Sequence, residues 1–139
     1  MKTLFFSLIF LSSVFVCGAQ SQHYIEKSVD QVKTMMQQSG KDFFFSKEVH
    51  TGKHHFLKYE NVDQTQTMLF VFKDGACSYT KLMCDYSLLK QMQDSLNNNY
   101  QYQKDWTWLD DSQDTGHEYL IELNKREWFF TIRTSRVKK

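Results

Sequence analysis

Two hydrophobic periods divide the chain. Ile25, Val29, Val32 and Met36 recur at spacings of four, three and four, which is the period of one helix face. Ser28-Val-Asp-Gln31 fits a capping box at the start of that stripe, and Ser39-Gly40 supplies a stop. A second stripe of Leu88, Leu89, Met92 and Leu96 predicts a helix over about Ser87–Asn98, capped by Asp85 or Ser87 and ended by Asn97-Asn98-Asn99. Both helices are short and apolar on one side only, so both need a sheet to cover.

Elsewhere the pattern is that of strands. Asp42–Val49 and His54–Glu60 flank the turn Thr51-Gly52-Lys53, and Thr67–Lys73 and Ala76–Met83 flank Asp74-Gly75, the strongest hairpin signal in the chain. Lys104–Leu109, Glu118–Asn124 and Glu127–Arg133 follow the second helix. This order predicts an α+β domain: an antiparallel sheet of about seven strands with two helices on one face. Shifting the chain by 51 places lays the last three strands over His54–Glu60, Thr67–Lys73 and Ala76–Met83 without a gap, which predicts a duplicated helix-plus-meander unit over 24–84 and 86–135.

That plan resembles, in layout, beta-lactamase inhibitor proteins and TATA-binding-type domains. Such folds serve as inhibitors, nucleic-acid binders and envelope proteins alike, so the layout implies no activity. The segment DGACSYTKLMCDYSLLKQMQDSLNNNYQ, with WTWLDD and EYLIELNKREWFFTIRTS after it, is similar to small exported bacterial proteins of uncharacterised function. The likeness covers roughly the second half of the chain and implies export.

The N-terminus agrees. MKTLFFSLIFLSSVFVCGAQ has Lys2, an apolar run from Leu4 to Val16, and small residues Gly18 and Ala19, which is the layout of a secretory signal peptide. The run is shorter than the ~18 residues of a membrane-spanning helix, and no later stretch is long enough. Removal of 1–19 leaves one domain over 20–139, in the periplasm or outside the cell. Acylation of Cys17 is the less favoured alternative, because Val16 is not the small residue that usually precedes a lipidated cysteine.

Removal of 1–19 takes only Lys2 from the 17 Lys+Arg and none of the 16 Asp+Glu, so the mature chain is formally neutral. A neutral chain without a basic block argues against nucleic acid as the partner. Aromatics at 16% indicate a packed core, and with no proline the turns fall to Gly, Asn and Asp.

Few residues suggest chemistry. Cys77 and Cys84 are a candidate disulfide in an exported chain. Geometry opposes it: seven residues of strand span about 23 Å against a limit of about 7 Å, and an odd separation points the two thiols to opposite faces. His50, His54 and His55 surround a turn, with Glu48 nearby, but two imidazoles that could meet across it are too few for a metal site. No GxSxG, HExxH, P-loop or GxGxxG pattern is present, so no catalytic residue, cofactor or metal is assigned.

Tryptophan carries the best binding argument. Trp106 and Trp108 stand two apart on a predicted strand beside Asp105, Asp110, Asp111 and Asp114, and the same spacing groups Trp128 with Phe130 and Ile132. Most such aromatics fill cores. The sharper expectation is that Trp106, Trp108, Asp110 and Asp111 line a recognition surface for a protein or envelope component. A carrier of a small apolar ligand and a hydrolase with an unrecognised site are the alternatives. Edge strands of an open sheet permit pairing between chains without fixing an oligomeric state.

Overall fold

The computed structural model describes residues 24–39, 42–111 and 116–138. The leader read at 1–19 lies outside them. Helix α1 (Val29–Ser39) leads into four strands, β1 (Phe43–Thr51), β2 (His54–Asn61), β3 (Gln66–Lys73) and β4 (Ala76–Asp85). Helix α2 (Leu89–Asn99) leads into β5 (Gln101–Tyr102), β6 (Thr107–Asp110), β7 (Tyr119–Lys125) and β8 (Phe129–Arg136). All eight strands form one antiparallel sheet in the order β1-β2-β3-β4-β8-β7-β6-β5. The fold is α+β as expected, with eight strands in place of seven, because the two-residue β5 is too short to leave a periodic signal.

The capping box forms as the sequence predicts. The Ser28 backbone N–H donates to Gln31 Oε1 at 2.9 Å and the Gln31 N–H donates to Ser28 Oγ at 3.2 Å, which satisfies two donors that a helix start leaves open. Before α2, Asp85 Oδ1 accepts the Ser87 N–H at 2.8 Å and starts a single 3-10 turn, Tyr86–Leu88. At the hairpin between β3 and β4, Asp74 (φ 53°) and Gly75 (φ 78°) are both left-handed, as a two-residue turn matched to the twist of its strands requires.

One core joins both helices to one face of the sheet. Val32 and Met36 of α1 and Met92 and Leu96 of α2 pack with Leu57, Phe70, Leu82, Ile121, Phe130 and Ile132. Each such side chain contributes about 1.5–3 kcal/mol when fully buried. Trp108 is the largest fully buried side chain, and its indole N–H donates to Asn97 Oδ1 at 3.0 Å, tying the end of α2 to β6.

Two bulges reset which side chains face this core. Phe45 pairs with Tyr59 but Lys47 pairs with Lys58, so Ser46 is an extra residue in β1. Val71 pairs with Tyr79 but Phe72 pairs with Cys77, so Ser78 is an extra residue in β4. The second bulge corrects the parity expected for the cysteines. Cys77 and Cys84 are seven residues apart, yet both are 1% exposed on the core face.

Candidate functional site

The residues singled out by sequence separate in space. Trp108 and Asp110 are each 1% exposed and belong to the core face, so neither can line an accessible surface. Trp106 is 42% exposed. It does not share their strand face, because Lys104–Thr107 is a tight turn: Thr107 N–H donates to Lys104 O at 3.0 Å, and Asp105 (φ 50°) and Trp106 (φ 61°) are its two left-handed central residues. Asp105 is the turn's one residue that favours this conformation, and without glycine after it the sequence signal is weak. The Lys125 ammonium sits 4.2 Å from the Trp106 ring centroid. Asp111 is exposed and accepts from Gln101 Nε2 at 3.3 Å, while Asp114 lies outside the described residues. Trp128 is 79% exposed in the turn before β8, away from Phe130 and Ile132, which are buried.

Cys77 and Cys84 are both buried and are not joined by a disulfide. Cys77 Sγ lies 3.7 Å from Tyr79 O, and burial pushes its thiol up to about 12, so it is neither a nucleophile nor a ready metal ligand near neutral pH. His50 and His55 stack face to face at 4.1 Å, and His55 Nε2 lies 2.8 Å from Glu48 Oε1. Glu48 is occupied on its other oxygen by Lys33 Nζ at 2.6 Å. Hydrogen bonds from Lys33 first and His55 second hold its carboxyl below the ordinary carboxylate value. Among the described residues no group of three metal-ligating side chains occurs. A cleft of about 1040 Å³ opens beside Ile25, Lys73, Cys77 and His117, where Arg136 is held by Glu26 and by His117 Nδ1.

The other face of the sheet has a different composition. Its side chains form rungs set by strand register. One rung runs through Val49, Phe56, Val71 and Tyr79 on β1 to β4, and continues past Ser135 to Leu120 and Leu109. The next runs through Lys47, Lys58, Leu69, Lys81 and Arg133, then Glu122 and Thr107. A third carries Phe44, Glu60, Thr67, Met83, Thr131 and Asn124. Val49, Phe56, Leu69, Val71, Tyr79, Met83, Leu109 and Leu120 are all only half-buried, and Phe44 is 57% exposed.

A solvated sheet face normally reads polar at alternate positions. Strand β3 does not: Met68, Phe70 and Phe72 fill the core while Leu69 and Val71 stand on the other face. The cations of the middle rung are only partly matched. Lys58 pairs with Glu60 at 2.7 Å, and Arg133 is 3.6 Å from Glu122. The Arg133 guanidinium lies 4.4 Å over the Tyr79 ring. Among the described residues Lys47 and Lys81 have no ion pair. Sequence reasoning missed this rung, although the unbroken apolar run Met68–Phe72 was a signal that β3 is apolar on both sides.

No protein-family model, curated protein or solved structure matches the chain. Among the described residues no helix is long and apolar enough to cross a membrane.

Proposed function

We propose that the chain is an exported, non-catalytic binding protein that engages a macromolecular partner, a protein or an envelope component, through the open face of its sheet. The observation that carries this reading is the half-buried apolar rung from Val49 to Leu109 on a face that neither helix covers. Contiguous exposed apolar patches larger than a few hundred Å² mark interaction sites. Export rests on the layout of residues 1–19 and on the likeness to small exported proteins. The two α-β4 runs, which meet at the β4–β8 pair, support descent of the domain from a duplicated unit.

A photo-crosslinking amino acid at Leu69, compared with one at Lys90 on the exposed side of α2, tests the binding reading in the organism that makes the protein. Adducts to one partner are expected from position 69 and not from position 90. Adducts from position 90 alone, or from neither position at native expression, would refute it.

A further inference from the structure

The middle rung of the open face places like charges directly opposite one another twice, Lys47 against Lys58 and Lys81 against Arg133. Cross-strand pairs of like sign destabilise a sheet, so the fold gains nothing from this arrangement. Glu60 offsets it in part at Lys58 and, at longer range, at Lys47, and Glu122 does so at Arg133. Between the two cation pairs stands Leu69, and the neighbouring rung supplies Phe56, Val71 and Tyr79.

From this juxtaposition we infer that the open face recognises an acidic protein surface, one that presents carboxylates among apolar side chains. The inference rests on the binding reading above and names the chemistry of its partner. Arg133 is the expected anchor. Its guanidinium carbon stands 4.4 Å from the Tyr79 ring centroid, and a planar guanidinium is suited to receive a carboxylate on two N–H groups. Lys81, directly opposite it, supplies a second positive charge from the adjacent strand.

The size is adequate. Seven strands at about 4.8 Å and three rungs at about 6.8 Å cover roughly 700 Å². A standard interface takes about 800 Å² from each partner. Nucleic acid fits less well, because a backbone laid along the rung would meet Glu122 on it and Glu60 beside Lys58, and would leave the apolar rung unfilled. An anionic bilayer fits less well for the first of these reasons.

The test uses the 15N-labelled mature chain, residues 20–139, with four probes: a peptide alternating Asp or Glu with Leu or Phe, its counterpart with Lys in place of the acids, a 20-nucleotide single-stranded DNA, and phosphatidylglycerol vesicles. The acidic peptide is expected to shift amides around Leu69, Lys81 and Arg133, and to weaken at least tenfold in Lys81→Gln and in Arg133→Gln. Lys90→Gln should bind it as the parent does. The melting temperature separates a recognition role from a structural one. Lys81→Gln relieves a like-charge pair, so it should melt at the same temperature or higher while binding less.

Equal binding of the lysine peptide would overturn the charge argument and leave the apolar face as the docking site. Stronger binding of the DNA or the vesicles at these amides would overturn it in favour of a polyanion or a membrane. No shift with the acidic peptide would also overturn it, whereas the crosslinks from Leu69 judge the binding reading independently. Should Arg133→Gln fail to fold, the Lys81→Gln result decides.

Discussion

Thiol reactivity offers the most direct check on the register of β4. In an unfolded or misregistered chain, Cys77 and Cys84 would behave as ordinary thiols. In the folded chain both are 1% exposed, and Cys77 is raised from an ordinary 9.0 to about 12 by burial. At pH 8 about one ordinary thiol in ten is thiolate, against about one in ten thousand for Cys77, a reduction of roughly a thousandfold before access is considered. Burial of Cys84 leaves opening of the sheet as its main route to reagent. For a domain stable by about 5–10 kcal/mol the open fraction is below about one in a thousand. A chain of residues 20–139, treated with iodoacetamide at pH 8 without reductant and weighed intact, should therefore stay almost unlabelled when native. It should take up two labels once guanidinium is added. Rapid labelling of Cys77 in the native chain would place the bulge at Ser78 wrongly. Labels that enter the denatured chain only after reduction would mean a disulfide, which requires β4 to bend across a separation of about 20 Å in extended strand.

Three further outcomes follow from single contacts. Asn97→Ala removes the acceptor of the buried Trp108 indole and should cost about 1–3 kcal/mol in urea unfolding; an unchanged midpoint would show that the N–H finds another partner. Glu48, held below 4.5 by Lys33 and His55, contributes stability that is fully present above that value and is lost as the pH falls through the lowered one. The pair is surface-screened, so Glu48→Gln should reduce stability at neutral pH by only about 0.2–1 kcal/mol and should flatten the acid limb of the melting curve; an unaltered acid limb would contradict the pairing. Deleting Ser78 removes an unpaired residue and leaves Cys77 facing the core, whereas deleting Lys81 turns Cys77–Thr80 to the wrong face; the first chain should fold and the second should not, as judged by cooperative thermal melting.

What the sequence made legible is what local chemistry encodes. The capping box at Ser28 and Gln31, the Asp74-Gly75 turn and most of both helix stripes depend on a few neighbouring residues and form, although Ile25 lies in a turn before α1 and Leu88 in the 3-10 turn before α2. The α+β class followed from their order. The candidate surface was less legible because it depends on phase along strands. Trp106 and Trp108 share a parity in sequence, but the left-handed turn at Asp105 and Trp106 removes the first from the strand. Trp108 and Asp110 then point inward with Ile121 and Leu123 of β7, and the acidic surface expected around them is divided between core and rim. A turn marked only by Asp105 and a bulge at a serine are announced weakly by local sequence.

The bulge at Ser46 shows how much follows from one such residue. In an unbroken β1, side chains alternate from Phe43 and Phe45 on the core side to Lys47 and Val49 on that same side, with Glu48 and His50 on the open face. The extra residue exchanges the two sets. Glu48 moves to the helix side, where Lys33 of α1 meets it at 2.6 Å, and His50 stacks there on His55. Lys47 and Val49 move to the open face, where they extend the cationic and apolar rungs to the edge strand. Were Ser46 paired in an unbroken β1 with Phe45 still opposite Tyr59, Ser46 would take the place of Lys47 opposite Lys58, Glu48 would stand on the open face opposite Phe56, and α1 would lose its ion pair to the sheet. A single unpaired serine thus sets both the seating of the first helix and the sign of charge that a partner of the open face would meet.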